Sequence, residues 1–185
     1  EESGISLDRG GFIQVDEQLR TSASNIYAIG DCIGPPLLAH KAMHEGISAV
    51  EGMAGIGGGR LDHRRVPNCT YCEPQVASIG LTEEQAGEQG FKIKVGRFPF
   101  QANGKALAMG SSEGLVKVIA DSETGEILGV HIIGPEATEL IAEAGSAMAL
   151  EATPEAIAHT VHAHPTLSEA FAEANLAALG RALHL

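Results

Sequence analysis

The chain has 185 residues, enough for one good core or a core plus part of another. Its net charge of −12 argues against nucleic acid, which needs a basic footprint, and no run of about 18 apolar residues exists to predict a transmembrane helix. No secretory signal is read, and three cysteines without framework spacing fit a reducing cytoplasm. Aromatic residues make up only 4% of the chain, so alanine and glycine must fill the interior and helices must approach closely.

In chain order, Glu1-Glu2-Ser3-Gly4 lacks an initiator methionine and starts inside a loop pattern, so the chain is read as a fragment. Residues 12–15 predict a strand. Residues 26–30 predict a second, short and buried, closed by Gly30 and Asp31. A glycine there lets a ligand approach the backbone, and an aspartate accepts hydrogen bonds from hydroxyls. Gly-Asp after a strand is, taken alone, an ordinary turn. Residues 38–53 predict a helix, with Ala, Met, Ile and Val spaced through it. The following Gly55-Ile56-Gly57-Gly58-Gly59-Arg60 follows a helix, not a strand, and Arg60 stands where a dinucleotide fingerprint needs its third glycine. It reads as a flexible linker and a domain boundary.

Cys69-Thr70-Tyr71-Cys72 is a C-x-x-C, a pattern that elsewhere marks a redox disulfide or half of a metal site. Pro67, Pro74 and the β-branched neighbours predict extended chain instead, in which residues three apart point to opposite faces. No second C-x-x-C completes a zinc site. Residues 76–80 predict a strand, and Thr82-Glu83-Glu84-Gln85 a capping box on a helix closed by Gly90. Residues 92–98 alternate as a half-buried strand does. Residues 115–120 and 127–133 are apolar runs joined by Ser122-Glu123-Thr124-Gly125, a hairpin loop. Helices are predicted at about 136–150 and, behind a Thr153 cap, at about 154–160. The first is rich in small residues and could be approached on more than one side, or simply be buried.

The segment Val161-His162-Ala163-His164-Pro165-Thr166-Leu167-Ser168-Glu169 carries the chemistry. Histidine moves protons near neutral pH, and the proline after His164 biases it away from α conformation. Thr166 and Glu169 read as a capping box opening a helix to about residue 183. A capping box needs no catalytic partner. His162 and His164 also form a His-x-His pair, but no third ligand with metal spacing follows, so no metal is expected.

His164-Pro165-Thr166-Leu167-Ser168-Glu169 before an alanine-rich helix resembles the C-terminal signature of the flavin disulfide reductases, in particular the dihydrolipoamide dehydrogenase family. Glutathione reductases are similar but usually carry serine where Leu167 stands. Residues 25–42, with Asn25-Ile26-Tyr27-Ala28-Ile29-Gly30-Asp31 and Pro36-Leu37-Leu38-Ala39-His40, resemble the family's FAD-binding strand–Gly-Asp–helix unit, and residues 66–83 the opening of its interface domain. The resemblance implies the end of an α/β FAD-binding domain at 1–62. It implies an α+β interface (dimerisation) domain at 63–185, an antiparallel sheet with helices on one side. It assigns proton transfer to His164 and its orientation to Glu169, and FAD contacts to Asp31, Leu37, Leu38, Ala39 and His40. The family's redox cysteines are separated by four residues, and no C-x-x-x-x-C occurs here. The NAD site and redox disulfide would lie outside the fragment, which alone should be inactive. Implied partners are a second copy, with His164 reaching the other subunit's flavin, and the lipoyl and subunit-binding domains of a 2-oxo acid dehydrogenase acyltransferase. A glutathione reductase-like disulfide reductase is the runner-up among related enzymes, and a non-catalytic dimerisation module, or a thiol or metal protein using Cys69 and Cys72, are the competing readings from other classes.

Overall fold

The computed structural model describes residues 4–57 and 61–185, which form two compact units, one ending at His63 and one running from Arg64 to Leu185. Of the glycine-rich linker, Gly58, Gly59 and Arg60 lie outside the described residues, as do Glu1, Glu2 and Ser3.

The first unit is mostly turns. The strands predicted at 12–15 and 26–30 are absent from its described residues; Leu7 with Ile13, and Arg20 with Tyr27, meet only as single antiparallel bridges. A strand needs a run of backbone partners, and here each segment has one bridging residue. Apolar character misled the reading: Ala28 is buried, but Ile26 and Ile29 are exposed. Gly30–Ile33 forms a 3₁₀ turn, and α1 spans Ala39–Ala54, close to the helix predicted. Gly55, in the left-handed region at φ 67°, closes α1 by donating its N–H to the Glu51 and Gly52 carbonyls.

The second unit is built on a five-stranded antiparallel sheet of β1 (Asn68–Thr70), β2 (Gln75–Gly80), β3 (Ile93–Pro99), β4 (Leu115–Asp121) and β5 (Ile127–Gly134), in the order β1-β2-β5-β4-β3. The register sets Ala77 opposite Ile132, Val118 opposite Val130 and Phe98 opposite Val116. The period of two therefore gathers these side chains, with Ile79, into one core. Helix α4 (Ala137–Ala149) packs on β2 and β5, and α6 (Glu169–Ala178) on β3 and β4. The short α5 (Pro154–Ala158) packs on α6, its first turn capped by the Thr153 hydroxyl. This is the α+β arrangement expected from the sequence. Helix α2 (Glu83–Glu88) forms the full Thr82–Gln85 capping box and a small cluster of Leu81, Ala86, Ile119 and Leu128.

One helix was not anticipated: α3 (Gly104–Met109), whose N-terminus is capped by the Asn103 side chain, while β1 falls where extended chain was expected around Cys69. The last helix is shorter than predicted at both ends. Thr166 does not cap it, because its hydroxyl donates to the Ala163 carbonyl, and the chain leaves the helix before Gly180 at φ 71°. Among the described residues no helix is long and apolar enough to cross a membrane.

With few aromatics, the core depends on close approach. Phe98, Phe100 and Phe171 are its only aromatic members, and Ala137, Ala144, Ala170 and Ala174 present almost bare helix backbone to the sheet. A Cβ placed on Gly96 of β3 would stand 1.9 Å from the Ala174 carbonyl oxygen and 2.4 Å from the Ala178 nitrogen of α6. Gly96→Ala must therefore push α6 off the sheet. We expect a loss of about 1–3 kcal/mol or more, as for other overpacked sites, read as a lower denaturation midpoint in urea. An unchanged midpoint would show that α6 does not rest on this strand.

Candidate active site

His164 lies on the loop between α5 and α6, and Glu169 is the first residue of α6. The His164 ring donates from Nδ1 to Glu169 Oε1 at 2.8 Å, and the Thr166 N–H donates to Glu169 Oε2, also at 2.8 Å. Half of the expected capping box is thus formed: the carboxylate reaches back to the Thr166 amide while the Thr166 hydroxyl holds the loop at Ala163. Both oxygens of one carboxylate are used, one to fix the loop and one to fix the ring. With the proton on Nδ1, the neutral ring keeps its lone pair on Nε2 as the basic atom. The His164 side chain is 77% exposed against 28% for Glu169, so the ring is presented to solvent and its anchor is not. Burial pushes the Glu169 carboxyl up, but the Thr166 amide, the hydrogen bond and charge of His164 and the charge of His184 together hold it below the ordinary carboxylate range.

The pair lines an open cavity of about 460 Å³, walled by Phe98, Leu107 and Leu176 and by further polar groups. A second imidazole shares it: His184 donates from Nδ1 to Glu173 Oε1 at 2.7 Å, and Glu173 lies one helical turn beyond Glu169. Glu173 is nearly buried, and its other oxygen accepts the Leu183 and His184 amides, which ties the C-terminal segment to α6. His162 is held the other way round, through Nε2 to Glu143 Oε1 at 2.8 Å and Nδ1 to the Thr160 carbonyl at 2.9 Å, and is largely buried. It anchors the loop to α4. Asn103 secures the loop from the other side, capping α3 with its oxygen while its amide donates to the Thr166 carbonyl at 3.0 Å.

In the first unit, Gly30 adopts φ 76°, and a Cβ there would stand 3.0 Å from the Ala42 Cβ. The backbone thus passes close to α1 where only glycine is comfortable. Asp31 is exposed beside it, Leu37 is exposed, and Leu38, in extended conformation, precedes α1 with no side-chain cap. Ala39 and His40 form the first turn of that helix. An exposed carboxylate next to a bare backbone turn, followed by an uncapped helix N-terminus, suits a ligand with hydroxyls and an anionic or anion-forming group. These residues fit FAD as the resemblance implies. The turn is held by two buried residues, Lys41 and Glu45.

Cys69 and Cys72 are both free thiols. Cys69 sits on β1 opposite Ala77, half-buried against the core, and burial with the Glu139 charge pushes its thiol up. The extended chain expected through Cys72 ends at Thr70. A turn then carries Cys72, whose thiol donates to the Pro74 carbonyl at 3.0 Å. No group of three or more His, Cys, Asp or Glu side chains among the described residues is arranged to hold a metal.

Sequence reasoning missed Lys41, Glu45, Asn103, Glu173 and His184. An i, i+4 Lys–Glu pair normally signals a solvated helix face, so nothing in the spacing announced burial. Asn103-Gly104 is an ordinary turn pair, and a C-terminal histidine gives no signal of its distant glutamate.

The chain belongs to the pyridine nucleotide-disulphide oxidoreductase dimerisation domain family, whose model matches residues 66–175; a pyridine nucleotide-disulphide oxidoreductase model matches residues 1–46. More particularly, it is similar to dihydrolipoyl dehydrogenases. It is 55% identical over 187 residues to that of Bacillus subtilis (98% of this chain, 40% of the relative) and 51% identical over 185 residues to the mitochondrial one of Sus scrofa (100% and 36%). Among solved structures it is similar to LpdA from Mycobacterium tuberculosis, with TM-score 0.88, 30% identity, and coverage of 93% of this chain and 38% of that one. It is also similar to the HOCl-induced flavoprotein disulfide reductase RclA from Escherichia coli, with TM-score 0.83, 28% identity and coverage of 93% and 40%. The chain thus spans 40% of the length of the Bacillus relative.

Because Glu169 titrates below its ordinary range in the folded chain, its ionised form stabilises the fold. That contribution is present above the unfolded value, about 4.3, and is lost as pH falls through the lower folded value. The melting-temperature gap between the natural chain and Glu169→Gln should therefore be open above the unfolded value and narrow as pH falls below it. A gap that widens on acidification would contradict the His164 and Thr166 hydrogen bonds.

Proposed function

We propose that the intact protein is an FAD-dependent dihydrolipoamide dehydrogenase, oxidising dihydrolipoamide to lipoamide and reducing NAD, and that this chain supplies its proton-transfer pair and dimer contact. The observation that carries the reading is the exposed His164 ring fixed through Nδ1 on the half-buried Glu169 within an open cavity. Similarity to proteins named dihydrolipoyl dehydrogenase supports this choice of reaction. FAD, when bound, supplies the redox centre between thiols and nicotinamide; Asp31, Leu37, Leu38, Ala39 and His40 are the residues here that would hold it.

A free thiol is mostly protonated near neutral pH (its pKa is about 8.5 even for cysteine), and only its thiolate attacks a disulfide. Nε2 of His164 takes that proton. Glu169 holds the tautomer that keeps Nε2 basic and stabilises the imidazolium once formed, the role a carboxylate plays in a serine-protease triad. The disulfide attacked is not drawn from Cys32, Cys69 or Cys72, whose spacing and placement do not suit it. The dimerisation-domain match supports a homodimer, and in this reading His164 serves the partner's redox centre. The outward face of α4, with Ala142, Ser146 and Ala149, allows close approach there. The lipoyl and subunit-binding domains of a 2-oxo acid dehydrogenase acyltransferase would be the further partners, in the cytoplasm.

In the intact protein, His164→Gln should lower the rate of reduction by dihydrolipoamide about 10²–10⁴-fold, the span of general acid–base help, while flavin content and reoxidation by NAD stay near normal. Glu169→Gln should cost less. Stopped-flow reduction of each variant decides it, and an unchanged rate for His164→Gln would defeat the assignment. His162→Gln should leave the chemistry in place but lower the melting temperature, since it cuts the loop from Glu143.

Serine at both Cys69 and Cys72 should leave turnover within about threefold, with any cost in stability, because a half-buried cysteine acts as a small apolar residue. The 185-residue chain alone should form no NADH from dihydrolipoamide.

A further inference from the structure

Lys41 and Glu45 are the most deeply buried charged residues described in the first unit, with side-chain exposures of 0% and 1%. They lie one turn apart on α1, with Lys41 Nζ 3.4 Å from Glu45 Oε1. Burying two charges is costly and seldom favourable for stability alone. What sets this pair apart is where its hydrogen bonds go. Lys41 Nζ donates to the Gly30 carbonyl at 3.1 Å and to the Gly34 carbonyl at 2.8 Å, while Glu45 Oε2 accepts the Gly30 N–H at 2.8 Å. Both peptide groups of Gly30 are therefore gripped from one helix, and the far end of the 3₁₀ turn at Gly34 is gripped by the same ammonium. His63 completes the set, its Nε2 3.3 Å from Glu45 Oε1.

The gripped segment is the one that presents Asp31. Gly30 has no side chain of its own to fix it, and a left-handed glycine is free to move unless its peptide groups are held. A neutral donor could satisfy one carbonyl. Only an ammonium offers three donors to two carbonyls and a carboxylate at one point.

We propose that the Lys41–Glu45 pair is a positioning device for the cofactor: it sets the Gly30–Gly34 turn, and so the Asp31 carboxylate, before FAD arrives. The inference rests on the FAD reading of Asp31 given above. Lys41 and Glu45 act through Gly30 and touch no cofactor themselves. The turn is thereby preorganised, and binding does not have to order it.

The test uses the intact protein stripped of flavin, with FAD itself as probe. Lys41→Met keeps length and removes the donors; Glu45→Gln is nearly isosteric and removes the charge; Ala49→Gly loosens the same helix away from the turn. Two quantities are read for each: the melting temperature of the flavin-free protein, and the FAD dissociation constant from quenching of flavin fluorescence. Lys41→Met should weaken FAD binding at least tenfold and Glu45→Gln by a smaller factor. Ala49→Gly should lower the melting temperature while leaving the dissociation constant within about twofold, which separates loosening from positioning. Affinity unchanged in Glu45→Gln and in a folded Lys41→Met would overturn the proposal and leave the pair a structural one. Should Lys41→Met not fold, Glu45→Gln alone decides by the same criterion. A natural protein that binds no FAD would overturn the cofactor reading itself, whatever the variants do.

Discussion

The close seating of α6 on the sheet is the constraint from which the candidate site follows. Gly96 gives β3 a stretch without a side chain, and Ala174 and Ala178 give α6 a matching face, so helix backbone meets strand backbone. A helix held that tightly cannot rotate or slide without steric cost, because interiors are packed as densely as crystals. Its first residue is Glu169 and its second turn carries Glu173, so the direction of both carboxylates is fixed by contacts on the opposite face of the same helix. In a chain with five phenylalanines and no tryptophan, small residues supply rigidity by proximity rather than by bulk.

Carboxylates do the orienting throughout. Glu169, Glu173 and Glu143 each hold one histidine on the second unit, and Glu45 holds a lysine, a glycine amide and a histidine on the first. The nitrogen each glutamate takes decides what is left over. Glu169 takes Nδ1 and leaves an exposed Nε2; Glu143 takes Nε2 of a buried ring whose Nδ1 is already spent on a carbonyl. Two histidines two residues apart therefore have opposite characters. An overall charge of −12 thus includes several carboxylates with specific partners.

How much of this was legible in the sequence depended on the range of the signal. Strands β2 to β5 and helices α1, α2 and α4 follow from local periodicity, and the Thr82 and Thr153 caps from local chemistry, and all were readable. The pairing of His164 with Glu169 was readable because both lie within one turn of chain. The single bridges at Ile13 and Tyr27 were misread as strands because apolar runs do not say whether a backbone partner exists. Asn103, sixty-three positions from the carbonyl it holds, and Lys41, whose burial depends on the path of the Gly30 turn, were illegible for the same reason. Side chains whose meaning lies in tertiary placement leave no mark in spacing.

Asn103 joins two events that the chain keeps far apart. Its oxygen starts α3 and its amide holds the loop carrying His164, so fraying of the one releases the other. Helix α3 is only six residues long, with Leu107 and Met109 exposed, and belongs to the low-stability end of the structure. The amide protons of Ala106 and Thr166 should then exchange with solvent through a shared opening, at similar protection and well before those of β4 and β5. The histidine loop would thus open as part of a small cooperative unit that includes a helix sixty residues upstream.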